Sequence, residues 1–386
     1  MKIMKKFTAY FCALVCAASM LVPAANINAV EVSKTEVVST QSVVSGGEIE
    51  VLAISQEDNA TPQIYQGKID PDSTVTYTFH LSKAIYFMGQ AASEISAGDV
   101  YYEVYSASNP SDTLCNAYTS TSALIDNFTQ KYLPAGDYVL SVRSSVSASG
   151  AFAFQVYGYD ASTNATIKES TSYVGYNNKT VWKKIKVTNN GCLAIGATSF
   201  IVDSSGNAAS SSGNKITLYN SKKKAISNAL YTSSSQDFIE CYGVKKGTYY
   251  IKISTPGCYR LYAKVIKKAS LPAAKKTKAK KVTSSEKYYV IPASTSKSTS
   301  WFKFTVSKAK KLTLSTSYVG DYSVKVTIYR GTKQVDTFTM YNNQGRNIKY
   351  RDLLTQKEVS WPKGVYYVKI TKGTKKDNGV VSLKVK

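Results

Sequence analysis

Histidine is almost absent from this chain of 386 residues, which contains only His80. Ser-His-Asp and Cys-His machinery and multi-histidine zinc sites would therefore depend on that one residue. His80 falls beside Thr76 and Thr78 on the polar face of an alternating strand, so we interpret it as a solvated strand residue. Gly-x-Ser-x-Gly and phosphate-cradling glycine loops are also missing from the sequence. The chain is therefore not expected to be an enzyme.

Cysteine is scarce and unevenly distributed. Two of the six cysteines, Cys12 and Cys16, lie in the apolar N-terminal segment. The other four are Cys115, Cys192, Cys241 and Cys258. A disulfide framework would be dense and would recur from domain to domain, so this layout does not predict one. A single bridge among the last three remains open, and Cys258, on the outward face of its strand, has no base beside it that would make it a nucleophile.

Carboxylates occur in pairs, but in sequence that is typical of turns. The pairs are Asp70 with Asp72 and Glu57 with Asp58. Two carboxylates can perform glycoside hydrolysis, yet Asp and Pro are also ordinary turn formers. A Ca²⁺ site on these oxygens stays open, although no full set of ligands at loop spacing can be read. We therefore predict no cofactor and no metal site.

Long apolar runs are missing after the N-terminus. Residues 1–29 have three lysines near their start, then an apolar run, then small residues, which predicts a secretory signal peptide. Nothing later is long and apolar enough to span a bilayer. The protein is therefore predicted to be secreted, extracellular or associated with the cell wall, with no membrane span once the signal is removed. Residues 30–60 are acidic and polar, and form either a spacer or an added edge strand.

A helical period is also hard to find, and the chain instead repeats itself. The same ten-residue phrase occurs at residues 133–142, 244–253 and 361–370. Each copy is a turn glycine followed by a strand whose alternate residues are large and apolar, so that these residues face a core. Each unit opens with another alternating strand and closes with a second glycine and a final strand. The distance from the opening strand to the turn glycine is nearly constant.

Units of roughly 100 residues with many short alternating strands are typical of β-sandwiches. The predicted fold class is all-β, with three tandem β-sandwich domains of the jelly-roll type after the signal peptide. The predicted sandwiches span residues 61–163, 166–268 and 286–386, with a Lys-rich linker at 269–285. The lysines of this linker repel one another, which predicts an extended segment.

The turn glycine followed by Tyr-x-Φ-x-Φ, a loop and Gly-x-Φ-x-Φ resembles the bacterial pre-peptidase C-terminal (PPC) domain. The phrase at residues 133–142, Leu-Pro-Ala-Gly-Asp-Tyr-Val-Leu-Ser-Val, is the most similar to it. Fibronectin-like and immunoglobulin-like sandwiches also place a tyrosine after a glycine at a strand corner. The resemblance covers all three units and implies small secreted accessory modules for targeting, attachment or packing against a partner. It carries no catalytic residues, and no peptidase domain accompanies the three units.

Charge is divided unevenly along the chain. The 49 basic and 25 acidic residues give a formal net charge of +24. The net charge is −10 over residues 30–165, +12 over 166–268 and +19 over 269–386. Such asymmetry bears on partners rather than on fold. It predicts that the two basic sandwiches bind an anionic cell-wall polymer or polysaccharide and that the acidic one faces another surface protein. No nucleic-acid-binding motif is present, so nucleic acid is not expected as a partner.

The polar faces of several strands carry the candidate ligand-binding residues. Aromatic residues alternate with lysines there, and such a surface can stack on sugar rings while holding anions. The candidates are Trp182, Lys184, Lys186, Tyr250 and Lys252 in the second unit, and Trp301, Lys303, Tyr367 and Lys369 in the third. The alternative is that the aromatics pack under loops or against neighbouring domains while the lysines solvate the sheet. Trp361, which stands where the other copies have Leu133 and Val244, is predicted to be core.

The sequence thus predicts a secreted, non-catalytic bacterial surface or extracellular protein that adheres through tandem β-sandwich modules, to anionic cell-wall polymer or acidic glycan. A carbohydrate-binding accessory module that recognises neutral glycan through exposed Trp and Tyr is the alternative. Its binding should survive salt, whereas electrostatic binding should weaken. A third possibility is a set of targeting or accessory domains for a secreted peptidase encoded elsewhere.

Overall fold

The computed structural model describes residues 46–55, 62–122, 125–161, 164–177, 179–202, 208–209, 214–231, 238–254, 257–295, 298–352, 355 and 357–386. Within these residues the chain forms three successive β-sandwiches of two sheets each, which confirms the predicted all-β tandem fold. No helix in the described ranges has the length and apolarity to cross a membrane. The predicted signal peptide lies outside the described residues, as do Glu57 and Asp58.

The first sandwich contains strands β1 to β11. They are β1 Gly47–Glu48, β2 Leu52–Ile54, β3 Ile64–Ile69, β4 Thr74–Leu81, β5 Ile85–Ile95, β6 Asp99–Ser106, β7 Asn109–Ser120, β8 Ile125–Asn127, β9 Lys131–Leu133, β10 Gly136–Ser144 and β11 Gly150–Asp160. One sheet has the order β1-β4-β10-β6-β7. The other has the order β2-β11-β5-β8, with β3 beside β11 and β9 beside β5.

The second sandwich contains strands β12 to β21. They are β12 Asn164–Ile167, β13 Ser172–Asn177, β14 Val181–Val187, β15 Gly191–Val202, β16 Ala208–Ala209, β17 Lys215–Asn220, β18 Ala225–Tyr231, β19 Phe238–Val244, β20 Gly247–Ile253 and β21 Gly257–Lys268. One sheet has the order β12-β14-β20-β17-β18. The other has the order β13-β21-β15-β16, with β19 beside β15.

The third sandwich contains the 3₁₀ helix η1 (Lys276–Lys278) and strands β22 to β30. The strands are β22 Lys280–Lys281, β23 Lys287–Ile291, β24 Thr299–Val306, β25 Leu314–Asp321, β26 Ser323–Arg330, β27 Lys333–Tyr341, β28 Gln344–Ile348, β29 Gly364–Lys372 and β30 Asn378–Val385. One sheet has the order β22-β24-β29-β26-β27 and the other β23-β30-β25-β28. In each sandwich we call the first sheet given the front sheet and the second the back sheet.

The three front sheets share one register. In each, the opening strand pairs antiparallel with the strand that follows the turn glycine, and the last residue of the opening strand lies opposite that glycine. The pairs are Leu81 with Gly136, Val187 with Gly247, and Val306 with Gly364. Because side chains alternate along a strand, an equal register puts equivalent residues on the same face in all three sandwiches.

The tyrosine two residues after each turn glycine points into the core, as its alternation predicts. Its hydroxyl donates a hydrogen bond to the backbone carbonyl four residues earlier, which ties the strand to the turn as in a tyrosine corner. The three bonds are Tyr138 to Pro134 (2.8 Å), Tyr249 to Lys245 (2.9 Å) and Tyr366 to Pro362 (2.9 Å). The repeated phrase therefore encodes both a core residue and a corner.

Removing one of these hydroxyls should destabilise its sandwich modestly. Tyr366→Phe leaves the Pro362 carbonyl without this donor while keeping the buried ring, so we expect a loss of about 1 kcal/mol in the free energy of unfolding. Urea unfolding of the protein measures it. Tyr367→Phe is the matched control, because the Tyr367 hydroxyl has no hydrogen-bond partner in the described part of the chain. Equal stabilities of the two variants would contradict the corner.

The segment that precedes each sandwich adds a short parallel strand to the front sheet. These strands are β1, β12 and β22, and all three use equivalent positions of the opening strand. The matching pairs are Glu48 with Thr78, Thr166 with Lys184, and Lys281 with Lys303. Of the polar segment at residues 30–60, which the sequence leaves open between spacer and edge strand, residues 47–48 and 52–54 are strands.

Residues 269–285 lie against the third sandwich, unlike the extended linker that their lysine run predicts. Ala273 accepts a backbone hydrogen bond from Trp301 (2.8 Å), and Val282 donates one to Lys303 (2.8 Å). Ala273, Ala279 and Val282 are buried, whereas most of the lysines between them are exposed. The segment is not extended because these interspersed apolar residues pack against the sheet while the ammonium groups reach solvent.

The first and second sandwiches meet through their back sheets. Tyr86 stacks on Tyr176 with ring centroids 4.4 Å apart, and Met88 and Cys258 are buried in the same cluster. Cys258 faces outward from its own sandwich, as the sequence predicts, but the neighbouring sandwich covers it. Burial raises the pKa of its thiol to about 12, so the thiol stays protonated and unreactive.

The second and third sandwiches also meet through their back sheets, at β19, β25 and β30. Cys192 and Cys241 form a disulfide at this interface, which settles the bridge that the sequence leaves open, and Val380 of the third sandwich packs against it. Gly243 donates its backbone N–H to the Asn378 side chain (2.8 Å). Its carbonyl accepts from the Ala293 N–H (2.6 Å), so both polar groups of the Gly243 backbone are hydrogen-bonded to the third sandwich.

Trp361 is core, as the sequence predicts. Its side chain is 1% exposed, and its indole Nε1 donates to the carbonyl of Leu312 (2.8 Å). The ring also contacts Phe304 and Tyr366 edge-on. The buried indole N–H thus has its partner, which allows a tryptophan where the other two sandwiches have smaller residues.

Candidate functional site: the two aromatic–lysine faces

The second sandwich carries an ordered aromatic–lysine face on its front sheet, across β14, β20 and β17. Two rows of side chains run across these strands. The first row is Trp182, Lys252 and Thr217, and the second is Lys184, Tyr250 and Tyr219. Their neighbours along each strand point into the core and are buried. Lys186 lies one step further along β14 on the same face and is exposed.

The third sandwich repeats the arrangement on β24, β29 and β26. Its first row is Trp301, Lys369 and Thr327, and its second is Lys303, Tyr367 and Tyr329. Every residue type matches its counterpart in the second sandwich. The position of Lys186 is taken here by Thr305. We call the two surfaces the second face and the third face.

The rings of the second face pack together with lysines above them. Trp182 meets Tyr219 edge-on at 4.8 Å between centroids and Tyr250 at 6.4 Å. The Nζ of Lys223, in the turn between β17 and β18, is 5.1 Å from the Trp182 ring and 5.3 Å from the Tyr250 ring. The Nζ of Lys252 is 5.6 Å from Trp182. Neither ammonium has a hydrogen bond or ion pair with any residue that the structure describes, so both can meet an anion.

The third face holds a lysine that comes from the segment before the sandwich. The Nζ of Lys276 is 4.6 Å from the Tyr367 ring, 5.6 Å from Tyr329 and 5.9 Å from Trp301. It also donates to the backbone carbonyl of Gly331 (2.7 Å). Lys369 lies 5.6 Å from Trp301. A cation within about 6 Å of a ring centroid is attracted to the ring face.

The first sandwich, in the same register, keeps only one residue of this arrangement, Tyr105, which lies at the position of Tyr219 and Tyr329. Thr76 and Ser141 stand where the second sandwich has Trp182 and Lys252, and Glu103 stands opposite Ser141. A carboxylate thus replaces the threonine of the other two sandwiches. The complete set of six residues is therefore present on the two basic sandwiches and not on the acidic one.

The sequence predicts all three strands of each face but assigns candidate ligand-binding residues to only two of them. It identifies the outward-facing residues of the opening strand and of the strand after the turn glycine, and the structure adds that these two strands are neighbours. It misses Tyr219 and Tyr329, because β17 and β26 join the sheet from a distance in sequence. It also misses Lys223 and Lys276, which reach the rings from a turn and from the preceding segment. The local sequence around these four residues does not indicate which strand or ring they will lie beside.

The other sequence candidates lie outside these faces. His80 is exposed and its Nδ1 lies 2.7 Å from an oxygen of Asp137, in agreement with a solvated strand residue. Asp70 immediately precedes the turn between β3 and β4, and Asp72 lies within it. The part of the chain that the structure describes contains no group of three or more His, Cys, Asp or Glu side chains placed to hold a metal.

Two carboxylates lie close together between the second and third sandwiches. Burial, and next the charge of Asp321, raises the pKa of Glu240 to about 7. Burial also raises the pKa of Asp321, against the hydrogen bonds that it accepts from the backbone and side-chain nitrogens of Asn228 (both 3.1 Å). The native protein therefore holds a proton on Glu240 at pH values where the unfolded chain has lost it.

The stability of the protein should fall as the pH rises from about 4.5 to 7, because in that window the native state binds more protons than the unfolded chain. Glu240→Gln should flatten this part of the curve, by an amount on the order of 2 kcal/mol. Urea unfolding across the pH range measures the difference. Glu94→Gln, at an exposed carboxylate of the first sandwich, should leave the slope unchanged. An equal slope in Glu240→Gln would show that Glu240 is not the titrating group.

Comparison with known proteins yields likeness in structure only. No protein-family model and no curated protein matches the chain. Among solved structures, the chain is similar to the PPC domain of collagenase from Bacillus anthracis, the family that its sequence motif resembles. The identity is 16% over 31% of this chain and 99% of that one, with a TM-score of 0.23.

Two further structures are similar to parts of the chain. Tandem CBM51 modules of a family 98 glycoside hydrolase from Streptococcus pneumoniae match at 13% identity, over 56% of this chain and 84% of that one, with a TM-score of 0.19. The CUB1-EGF-CUB2 domain of human MASP-1/3 matches at 9% identity, over 51% of this chain and 99% of that one, with a TM-score of 0.17. The β-sandwich architecture itself follows from the strand pairing described above.

Proposed function

We propose that the chain is a secreted, non-catalytic binding protein that attaches to an anionic polymer of the bacterial surface through its second and third sandwiches. The observation that supports this most strongly is the repeated face. Six positions on three strands carry the same residue types in both basic sandwiches. At the same six positions of the first sandwich, only Tyr105 has the matching type. Lysines that only keep a sheet surface hydrated would not require aromatic residues at the same positions in both sandwiches.

The chemistry of the face fits a polymer that combines sugar rings with negative charge. Half-buried Trp and Tyr rings offer flat apolar area, and lysine ammonium groups beside them offer charge. Teichoic acid and acidic polysaccharide both combine these two properties. The acidic first sandwich, which lacks the face, is left to project toward another surface protein.

Co-sedimentation with Gram-positive cell walls tests the proposal. Walls with and without teichoic acids are incubated with the protein over a series of salt concentrations. We expect retention at low salt, weaker retention as salt screens the charges, and loss of retention after teichoic-acid removal. Retention that is independent of salt and of teichoic acid would contradict binding to an anionic polymer.

Neutral glycan is the second candidate ligand, and the clustered rings of Trp182, Tyr219 and Tyr250 favour it. Stacking on sugar rings does not depend on ionic strength, so this binding should persist at high salt. It should disappear when Trp182 and Trp301 are both replaced by alanine. A glycan array probed at high salt separates this candidate from the first.

A further inference from the structure

The two faces differ in what lies over their rings. In the third face, the rings of Trp301, Tyr329 and Tyr367 form a ring pocket, and the ammonium of Lys276 lies within 6 Å of all three. In the second face, Lys223 is within that distance of two rings and comes from an exposed turn.

The segment that carries Lys276 is fixed to the third sandwich at several points. Besides the bond from Nζ to the Gly331 carbonyl, its backbone is hydrogen-bonded to β24 on both sides of η1, at Ala273 and Val282. The side chains of Ala273 and Ala279 in this segment are also buried. Because the segment is attached to the sandwich, the Lys276 ammonium is present at the ring pocket at a high effective concentration. An external ligand must displace it to reach the rings.

Among the residues that the structure describes, the second sandwich shows no equivalent tether. Counting back from the strand pairs that match between the two sandwiches, the position of Lys276 corresponds to Ala161, which is buried. Lys223 has the positive φ of a turn residue and is exposed, and the described residues offer its ammonium no hydrogen-bond acceptor. It can turn from the rings toward an anion without breaking a hydrogen bond.

We propose that the third face is closed by its own linker, through Lys276 in the ring pocket, and that the second face is the open site for an acidic glycan. This rests on the proposed function for the ligand, but the closure itself does not. A polymer therefore binds the second face first. It binds the third face only after residues 273–278 have dissociated from the sheet. The two faces then act in sequence rather than as equal sites.

Tryptophan fluorescence tests the closure without any ligand. In a Trp182→Phe background the remaining tryptophans are Trp301 and the buried Trp361, so acrylamide quenching reports Trp301. Lys276→Ala should raise the Stern–Volmer constant about twofold or more, because the pocket loses its occupant. Lys278→Ala makes the same charge change in the same segment but has no ring contact in the structure, so it should leave quenching unchanged. Equal quenching in both variants overturns the closure.

Binding of polygalacturonate by the full chain tests the order of the two faces. Trp182→Ala alone should lose most of the binding, because the third face is closed. Adding Lys276→Ala should restore a substantial part of it, whereas adding Lys278→Ala should not. Full binding by Trp182→Ala alone overturns the assignment of the open site to the second face. If the unaltered protein binds no polygalacturonate at any salt concentration, the acidic-glycan ligand fails, and the quenching result still decides the closure.

Discussion

Replacing Gly243 with alanine is expected to force the second and third sandwiches apart. A Cβ at this position would stand 2.1 Å from the carbonyl oxygen of Gly379 and 2.3 Å from that of Ile291. Both obstacles are backbone atoms, which cannot rotate away as a side chain can. The same approach carries the hydrogen bonds that join Gly243 to Asn378 and Ala293. We expect the interface to lose several kcal/mol, as overpacked cores do.

The disulfide at the interface offers a direct readout of its opening. Cys192 and Cys241 are 2% and 3% exposed, so a thiol reductant reaches them only when the two sandwiches separate or the sheet opens. Gly243→Ala should therefore raise the rate of reduction under native conditions at least about tenfold, the factor that 1.4 kcal/mol of easier opening gives.

Gly345→Ala is the matched control for this experiment. Gly345 also lies in a strand of a back sheet, but the atoms nearest to a Cβ there are 3.7 Å and 3.8 Å away, which is ordinary contact. Its reduction rate should equal that of the unaltered protein. A Gly243→Ala variant that is reduced no faster than this control would show that the close approach does not hold the sandwiches together.

Transferring two residues of the first sandwich onto the second should abolish most polymer binding. Thr76 and Ser141 pair in the first sandwich as Trp182 and Lys252 do in the second. The double variant Trp182→Thr with Lys252→Ser therefore uses residues that the same fold already tolerates at this register. It removes the largest ring of the second face and a lysine 5.6 Å from that ring.

The expected loss is on the order of 2 kcal/mol, or about 30-fold in affinity for polygalacturonate, from one lost ring surface and one lost charge. Titration of the full chain measures it. Tyr262→Thr with Lys264→Ser is the control, since it removes one ring and one lysine from the back sheet of the same sandwich. Equal losses in both double variants would mean that net charge, rather than the face, carries the binding.

Strand alternation and the turn glycines are enough to predict the fold class and which side chains of two strands in each face point outward. Trp182 with Lys184, and Tyr250 with Lys252, occupy neighbouring strands because the register is set at Val187 and Gly247. Alternation fixes the face of a side chain as soon as its strand is identified. For the same reason Trp361 could be assigned to the core from its place in the repeated phrase.

Features that depend on contacts between distant segments could not be predicted from the sequence. Tyr219 joins the second face only because β17 pairs with β20, which local periodicity does not reveal. The burial of Cys258 depends on a neighbouring sandwich that covers an outward face. The position of Lys276 depends on alanines in the linker that pack against β24, where the lysine run alone indicates an extended chain.

The most direct test of the central claim is the affinity of the unaltered protein for polygalacturonate as the salt concentration rises, with neutral dextran measured in parallel. If the two aromatic–lysine faces bind an anionic polymer, polygalacturonate binds at low salt and its affinity falls steadily with added salt, while dextran binds weakly throughout. Equal affinity for the two polymers, unchanged by salt, would contradict the account and assign the rings to neutral glycan.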